Sequence, residues 1–539
     1  MADPMERLAR AYLDRTFEAF PTVATQYGMH DFDDRLEELT DAGLDAYARA
    51  VAELRERVAA VEVAGAEAAA DRDALDAELA ERLEVHEVER PWHRNPFEAA
   101  TAVPNAILLL LVKDYAPLER RLGAAAARLE AAPRLLAQAR ALLDEPCPAV
   151  WRRMAVVAAR GGAGFLGGTL PSLAAGTPLA GRVAEAAGPA AGALEELAGW
   201  LETEHAARFP DDAPFAIGEA ALARRLRQVH RLDVSPAELL ATGEAQLAEL
   251  EEALAAQAAR LGGGDWASVL ERLKDRHPSE AELVAAYQQE LERLEAFCME
   301  RDLVTDPGAK ARVEPTPEYL RGLLGYAAYL PSGPFDHHQQ GSFWVTPPPE
   351  PAGLREHFLA VIPAVAAHEG YPGHHLQMTS VNRLASVTRR TVQSAMMIEG
   401  WGLYTEEMMH GAGYYDDAAR LAQLSMRSLR ALRIVLDVRL QADGLSYQDG
   451  VAMAVSVGRV TEPTARSEVA RYTMTPTQPS TYLLGCLELE RLRAASRARL
   501  GGAFRLRRFH DRVLAYGHMP PTLVARAIQA ADLEQRRTT

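Results

Sequence analysis

Apolar residues recur at three- and four-residue spacing along most of the chain, set among Glu, Arg and Ala. This spacing is typical of amphipathic α-helices, and abundant alanine lowers the free-energy cost of each helix. The clearest predicted helices span residues 44–61, 74–89, 124–143, 236–261 and 280–301. The pattern therefore predicts a mainly α protein.

One short stretch favours a strand. Residues 341–346, Gly-Ser-Phe-Trp-Val-Thr, lie directly before three prolines, so a very small β element is expected there. Its edge is a candidate for pairing with an extended peptide. The surrounding residues 302–351 are rich in Pro and Gly and interrupt the helical pattern. We predict two helical lobes, an N-terminal lobe of residues 1–310 and a C-terminal lobe of residues 311–539.

Composition and charge narrow the possible functions. The chain has 539 residues, 48% of them hydrophobic and 25% charged, values that exclude wholesale disorder. Lys and Arg total 58 against 75 for Asp and Glu, which gives a net charge of −17. Such a surface repels nucleic acids and anionic membranes. The arginines between residues 427 and 439 are interleaved with leucines at helical spacing, which is typical of the edge of a helix and not of a basic binding patch. We predict neither a nucleic-acid nor a membrane partner, and the sequence does not indicate the oligomeric state.

Cysteine usage and the N-terminal residues bear on the compartment. The three cysteines are Cys147, Cys298 and Cys486, too far apart in sequence for a disulfide framework. The first fifteen residues carry charges throughout, unlike a signal peptide, and no apolar run reaches the length of a membrane span. A cytoplasmic location is therefore predicted.

Side chains that could bind a metal or transfer a proton are concentrated in residues 364–377, AVAAHEGYPGHHLQ. This segment holds His368, Glu369, His374 and His375 within eight residues. In the HExxH pattern, two histidines on one helix face bind Zn²⁺ and the glutamate activates water. Here Pro372 stands where the second histidine would be. Proline lacks the N–H that continues the helix, and its ring crowds the preceding turn. The sequence predicts an interrupted helix.

The interruption bears on which histidine is the second ligand. Two looped-out residues would bring His374 to the position of the usual second histidine. His375 is the rival, but on an unbroken helix it would lie about 10 Å from His368 along the axis. Ligand bonds to a shared metal are only about 2.1 Å long. The sequence favours His374 and leaves His375 as the alternative.

A third ligand is offered by residues 395–410, AMMIEGWGLYTEEMMH, a second helical pattern. Glu399 has mostly apolar neighbours there, and Glu406 or Glu407 follows on the same face at helical steps. A buried carboxylate is costly unless it is paired or bound to a metal. The alternative is a partly exposed helix residue.

These motifs resemble those of the bacterial domain-of-unknown-function family numbered 885, whose members group with the gluzincin metallopeptidases. HEGYPGHHLQ and IEGWGLYTEEM occur in the family's order. The resemblance extends over nearly the whole chain, through segments that begin at residues 20, 90, 341, 471 and 509: FPTVATQYGMHDFDDRL, RPWHRNPF, GSFWVTPP, RYTMTPTQPSTYLLGCLELERLR and FHDRVLAYGHMPPTLV. It implies a two-lobed helical gluzincin-like metallopeptidase fold with a central cleft.

The resemblance also implies roles for single residues. His368, His374 and Glu399 would be ligands of one Zn²⁺ ion, and Glu369 the general base. The chemistry agrees, because bound zinc acidifies water and a neighbouring carboxylate can accept the proton. Other divalent metals suit the same ligand set.

Oxyanion stabilisation requires a donor across the cleft. Tyr472 and Tyr482 are the candidates, although either could be a core residue with a satisfied hydroxyl. The chain departs from the family at Gln441, where the pattern Asp-x-x-x-His that begins at Asp437 usually ends in histidine. Glutamine can donate a hydrogen bond but cannot shuttle a proton, so a reduced hydrolytic rate or a changed reaction is expected.

The leading hypothesis is a zinc-dependent hydrolase of peptide or amide bonds that acts on short peptides, as an oligopeptidase or a carboxypeptidase-like enzyme. The partner would be a short peptide or a small amide. One alternative is a metal-dependent biosynthetic tailoring enzyme for a small amide- or peptide-like metabolite. Another is a catalytically decayed helical binding protein.

Overall fold

The computed structural model describes residues 3–209, 211–318, 321 and 325–538, with side chains to residue 533. The described chain is mainly helical with one small sheet, which confirms the predicted fold class. No helix in these ranges is both long and apolar enough to cross a membrane.

The chain divides into two compact units. Unit 1 comprises Met1–Val61, Leu79–Ile217 and Ser332–His338, and unit 2 comprises Glu62–Glu78, Gly218–Pro331 and Gln339–Thr539. The boundary predicted near residue 310 lies inside unit 2. The physical reason is that the residues after 310 form a sheet that packs on the helix directly before them.

Unit 1 is a bundle of helices with a continuous apolar core. Its helices are α1 (Pro4–Ala19), α2 (Pro21–Tyr27), α3 (Asp41–Ala59), α5 (Pro91–Arg94), α6 (Pro96–Leu111), α7 (Leu118–Leu142), α8 (Ala149–Gly164), α9 (Leu170–Ala174), α10 (Ala180–Trp200) and α11 (Ala206–Arg208). The helix α4 (Ala66–Glu84) contributes residues to both units. Alanines and leucines of α6, α7, α8 and α10 fill the core, since alanine lets helices pack closely.

Unit 2 carries the predicted motifs. Its helices are α12 (Glu219–Gln228), α13 (Pro236–Arg260), α14 (Trp266–Leu273), α15 (Glu280–Glu300), α16 (Ile362–Glu369), α17 (His374–Val381), α18 (Val387–Thr391), α19 (Ala395–Gly411), α20 (Asp417–Gln441), α21 (Tyr447–Ser456), α22 (Glu462–Met474), α23 (Gln478–Leu500), α24 (Leu506–Leu514) and α25 (Pro521–Thr538). Capping boxes at Ser235 and Ser279 start α13 and α15. The five predicted helices correspond to α3, α4, α7, α13 and α15, with ends shifted by at most eight residues, the largest shift being at the start of α4.

The sheet of unit 2 has three strands in the order β1-β3-β2, where β1 is Arg312–Pro315, β2 is Ala327–Leu330 and β3 is Ser342–Val345. Strand β3 is the predicted strand, and it pairs parallel with β1 and antiparallel with β2. The expectation that it offers a free edge was wrong, because it is the central strand. The two flanking strands are only four residues long, too short for a clear alternating pattern.

Helix packing in unit 2 brings the motif-bearing segments together. Helix α16 packs on α15 and α19, α17 packs on α19, and α19 packs extensively on α23. The residues 368–374 and 395–410 therefore belong to one core, although the sequence separates them.

Candidate metal centre

The helix that carries the histidine motif is interrupted, as predicted. Helix α16 ends at Glu369 and α17 begins at His374, so residues 370–373 form the turn between them. A side chain at Gly373 would place its Cβ atom 1.9 Å from the carbonyl oxygen of His368. Only glycine permits this close approach of the two backbone segments.

This turn brings three predicted ligands together. His368 Nε2 lies 3.7 Å from Glu399 Oε2, and His374 Nε2 lies 3.6 Å from the same oxygen. One ligand atom from each of the three residues lies within 4.8 Å of the others. The side chains are largely buried, with 6% of His368, 10% of His374 and 22% of Glu399 exposed.

The spacing fits a shared metal better than direct hydrogen bonds. Two ligand atoms bound tetrahedrally at about 2.1 Å lie roughly 3.4 Å apart, close to the observed separations of 3.6 and 3.7 Å. Protein hydrogen bonds are shorter, at about 2.7–3.2 Å. Two imidazoles and one carboxylate are also a known catalytic zinc set, with a fourth position open. The residues therefore form a group that could bind a metal ion.

Glu406 completes the surroundings of His368. It is fully buried, and its Oε1 atom accepts a hydrogen bond of 2.8 Å from Nδ1 of His368. This bond fixes the tautomer that leaves Nε2 free for a metal, the usual arrangement of a metal-binding histidine. Its Oε2 atom is buried without a hydrogen-bond partner among the described residues. Glu406 was noted in the sequence only for its helical spacing from Glu399, without a role.

The site carries excess negative charge. Burial lowers the pKa of His368, but the Glu399, Glu406 and Glu369 carboxylates outweigh it and raise the pKa to about 10. Burial raises the pKa of Glu399, and the two histidines more than reverse this and lower it well below its ordinary value. Three carboxylates and two imidazoles in a buried space therefore favour a cation.

The predicted general base lies beside this group. Oε2 of Glu369 accepts a hydrogen bond of 2.9 Å from the backbone N–H of Tyr329 in strand β2. Tyr329 is in the edge strand β2, and its N–H is directed away from β3 because the antiparallel ladder alternates. The bond fixes one carboxylate oxygen of Glu369.

The rival histidine has a different environment. His375 is fully buried, and its Nε2–H donates to the carbonyl of Ala309 at 2.9 Å while Nδ1 accepts from the hydroxyl of Tyr329 at 3.0 Å. Both ring nitrogens are thus used in hydrogen bonds, and His375 lies outside the group of three possible ligands.

The two candidate tyrosines differ in surroundings. Tyr472 is buried. Its hydroxyl donates a hydrogen bond of 2.6 Å to Glu468 and accepts one of 2.8 Å from Arg433. Tyr482 is half-buried on α23, and the guanidinium of Arg433 lies 4.8 Å from its ring centre. Burial, and next the Glu399 carboxylate, raise the pKa of Tyr482. Tyr482 is therefore within electrostatic reach of a predicted ligand, whereas the hydroxyl of Tyr472 is engaged in an ion-pair network.

Gln441, the departure from the family pattern, is fully buried at the end of α20. Its side-chain amide N–H donates to the backbone carbonyl of Tyr472 at 3.0 Å, and its backbone carbonyl accepts from the N–H of Gly218. Asp437 accepts hydrogen bonds from the N–H of Thr477 and the hydroxyl of Ser480. These bonds hold the segment that leads into α23.

His518, for which the sequence shows no partner pattern, has an unusual environment. The residue is fully buried, and neither ring nitrogen has a hydrogen-bond partner among the described residues. Burial and then the charge of His374 lower the pKa of His518 to about 3, so the ring is neutral and near a predicted ligand. Only its place in the family-like segment 509–524 could have signalled this.

A second group of possible ligands, His93, Asp144 and Glu145, lies in unit 1. His93 faces Asp144 at 3.2 Å and Asp41 at 3.4 Å, and Arg90 pairs with Glu145 at 2.5 Å. The side chains of Asp144 and Asp41 are mostly exposed. These contacts are those of surface ion pairs.

Fold and site together define a mainly helical protein with a buried His, His, Glu group that could hold a metal. The chain belongs to the family of bacterial proteins of unknown function DUF885, whose model matches residues 21–528. This confirms the resemblance derived from the motifs. A search of curated proteins found no match.

Two solved structures share the fold. A "putative lipoprotein of unknown function" from Shewanella oneidensis is 21% identical, with a TM-score of 0.81 over 98% of this chain and 100% of that chain. A "putative lipoprotein" from Colwellia psychrerythraea is 17% identical, with a TM-score of 0.85 over 99% and 100% of the two chains. An M32 carboxypeptidase from Deinococcus radiodurans R1 is 12% identical with a TM-score of 0.37 over 99% and 97%, too distant to assign an activity.

Proposed function

We propose that this protein is a zinc-dependent hydrolase of peptide or amide bonds that acts on short peptides. The observation that carries the proposal is the convergence of His368, His374 and Glu399 at metal-ligand spacing, directly beside Glu369. A site with three protein ligands leaves a position for water or a substrate carbonyl. The ligand set is the one typical of hydrolytic zinc, although other divalent metals suit it too.

His368, His374 and Glu399 would hold the ion, which supplies a Lewis acid and acidifies water at the site when bound. Glu406 keeps His368 in the required tautomer through its bond to Nδ1. Glu369 takes the proton from the attacking water and passes it to the departing amine. The N–H of Tyr329 orients the Glu369 carboxylate for this transfer.

Tyr482 is the better of the two candidates for stabilising the oxyanion. Its pKa is raised by burial and by Glu399, so it stays protonated and can donate a hydrogen bond. The Tyr472 hydroxyl already donates to Glu468. We assign the oxyanion role to Tyr482 and a structural role to Tyr472.

Strand β2 is an edge strand beside Glu369, and an extended substrate would pair with its outward backbone groups other than the N–H of Tyr329, which already donates to Glu369. The candidate edge for pairing with a peptide is therefore β2 and not residues 341–346. The bonds of Gln441 support the backbone at Tyr472, so the departure at this position is explained by packing and does not require a changed reaction.

The test uses the zinc-loaded full chain and a diverse library of short peptides, with product analysis by mass spectrometry. Wild type should cleave a subset, and Glu369→Gln should lose roughly 10²–10⁴-fold in rate while it retains its metal. Glu350→Gln, the same change at an exposed residue, serves as the control. Absence of cleavage by the metal-loaded wild type would contradict the proposal and favour the tailoring reaction.

A further inference from the structure

A buried arginine lies against Tyr482, the residue to which we assign the oxyanion role. Arg433 on helix α20 has only 10% of its side chain exposed, and its guanidinium carbon lies 4.8 Å from the ring centre of Tyr482. Its Nε–H donates to the Tyr472 hydroxyl at 2.8 Å, and its Nη2 donates to Glu468 at 2.8 Å. Two hydrogen bonds and a ring contact therefore fix the plane of the guanidinium.

One nitrogen of this guanidinium has no partner. Nη1 of Arg433 makes no hydrogen bond to any described residue, and it is not one of the fully buried atoms. It therefore keeps accessible surface, so a ligand can reach it. A guanidinium N–H donates strongly to a carboxylate, because the charges on both groups shorten and strengthen the bond.

Positive charge exceeds negative charge around this arginine. Arg433 and Arg471 both pair with the same oxygen, Oε2 of Glu468, at 2.8 and 3.0 Å. Burial raises the pKa of Glu468, but the two arginines outweigh it and lower the pKa to about 2. No other described carboxylate pairs with either arginine, so one positive charge has no counter-charge. A buried charge of this kind is costly unless an anion neutralises it.

The crossing of two helices places Tyr482 beside the candidate metal centre. A Cβ atom on Gly485 of α23 would lie 1.9 Å from the carbonyl oxygen of Met396 and 2.7 Å from Cα of Gly400 on α19. Glu399 directly precedes Gly400, and Tyr482 lies three residues before Gly485, which is about one helical turn. The ring of Tyr482, with the guanidinium against it, is therefore close to a predicted ligand.

We propose that Arg433 binds the free C-terminal carboxylate of a short peptide substrate through Nη1. The guanidinium lies against the ring of the oxyanion donor, and consecutive residues of a peptide are about 3.8 Å apart. A carboxylate bound here is therefore one or two residues from the bond that is cleaved. The substrate class is peptides with a free C-terminus, which lose one or two residues from that end. This assignment rests on the proposed function, whereas the binding of a carboxylate at Arg433 does not.

The first test measures binding without hydrolysis. The probes are acetyl-Ala-Ala-Ala and its C-terminal amide, titrated calorimetrically into the full chain after metal removal by a chelator, so that no metal competes for the carboxylate. The acid should bind roughly 10- to 100-fold more tightly than the amide, and this preference should vanish in Arg433→Gln. Arg439→Gln removes another arginine of α20, which pairs with Glu244, and should keep the preference. No saturable binding of the acid below about 10 mM, or equal binding of acid and amide, would overturn the site.

The second test uses the zinc-loaded chain. Each peptide that wild type cleaves in the library is made as the free acid and as the C-terminal amide, and kcat/KM is compared. The acid should be preferred roughly 10- to 100-fold, and the ratio should fall towards 1 in Arg433→Gln. A general loss of packing would lower both rates and leave the ratio unchanged. Arg433→Lys keeps a charge beside Glu468 but has a single nitrogen, so it should also lower the ratio, and it serves if Arg433→Gln does not fold.

The outcomes separate this inference from the proposed function. Equal cleavage of acid and amide, or a wild-type ratio in folded Arg433→Gln or Arg433→Lys, would overturn the inference while hydrolysis stands. A preference for Asp or Glu side chains that persists in amidated peptides would overturn the C-terminal assignment. If no peptide is cleaved, the proposed function fails, and the binding of acetyl-Ala-Ala-Ala still decides whether Arg433 holds a carboxylate.

Discussion

Gly402 offers a direct perturbation of the metal centre, because helix α19 touches the ring of His368 at this residue. A Cβ atom at position 402 would lie 2.6 Å from Cε1, 2.7 Å from Nε2 and 2.9 Å from Nδ1 of His368. Ordinary contacts begin at 3.4 Å, so Gly402→Ala must displace the ring by roughly 0.8 Å. Metal-ligand distances tolerate only about 0.2 Å. The bond from His368 to Glu406 is strained by the same movement.

We expect Gly402→Ala to lower zinc affinity at least about 10- to 100-fold, the range found when the orientation of a ligand is lost. The assay is competition with a chromophoric chelator, and circular dichroism checks the fold. Gly411→Ala is the matched control, since it makes the same change on α19 with no atom within 4 Å of the new methyl group. Wild-type affinity in Gly402→Ala, or an equal loss in Gly411→Ala, would refute the placement of His368 as a ligand.

Three further predictions address other parts of unit 2. Glu406→Gln should reduce zinc affinity by about 10- to 100-fold in the same assay, and an unchanged affinity would show that the carboxylate does not support His368. Burial raises the pKa of Asp437 from an ordinary 3.8 to about 7. The folded state therefore favours the protonated form of this carboxyl. The stability that Asp437 contributes is fully present below pH 4 and is lost as the pH rises to 7. In urea unfolding, the free energy of unfolding at pH 7 minus that at pH 4 should be more negative in wild type than in Asp437→Asn, by on the order of a few kcal/mol, and equal differences would contradict the burial argument. Tyr482→Phe should lower kcat for peptide cleavage by roughly 10²–10³-fold with zinc retained. Tyr472→Phe should mainly lower the free energy of unfolding, by about 1–3 kcal/mol. The reverse pattern in peptide kinetics and thermal unfolding would exchange the two roles.

The fold could be predicted in class but not in its domain organisation. Helix periodicity is a local signal, so helices such as α13 and α15 were predicted within a few residues of their ends. The division into two units depends on contacts between residues that are distant in sequence. The segment Ser332–His338 belongs to unit 1 while its flanking strands β2 and β3 belong to unit 2, and no local pattern signals this.

The candidate site could be predicted where one element carries the chemistry. Pro372 and Gly373 indicated the interrupted helix, and Glu399 stood out as an acidic residue among apolar neighbours. The sequence does not show which elements contact one another, so it assigned no role to Glu406, Tyr329 or His518. The roles of the site residues, the cytoplasmic location and the classes of partner stay predictions.

Metal content is the measurement that tests the central claim most directly. Elemental analysis of freshly purified wild type, His374→Ala and His375→Ala should find about one equivalent of zinc in wild type and in His375→Ala, and almost none in His374→Ala. Thermal unfolding shows whether each variant is folded. No metal in wild type even after incubation with zinc, or its loss in folded His375→Ala with retention in His374→Ala, would contradict the proposed centre.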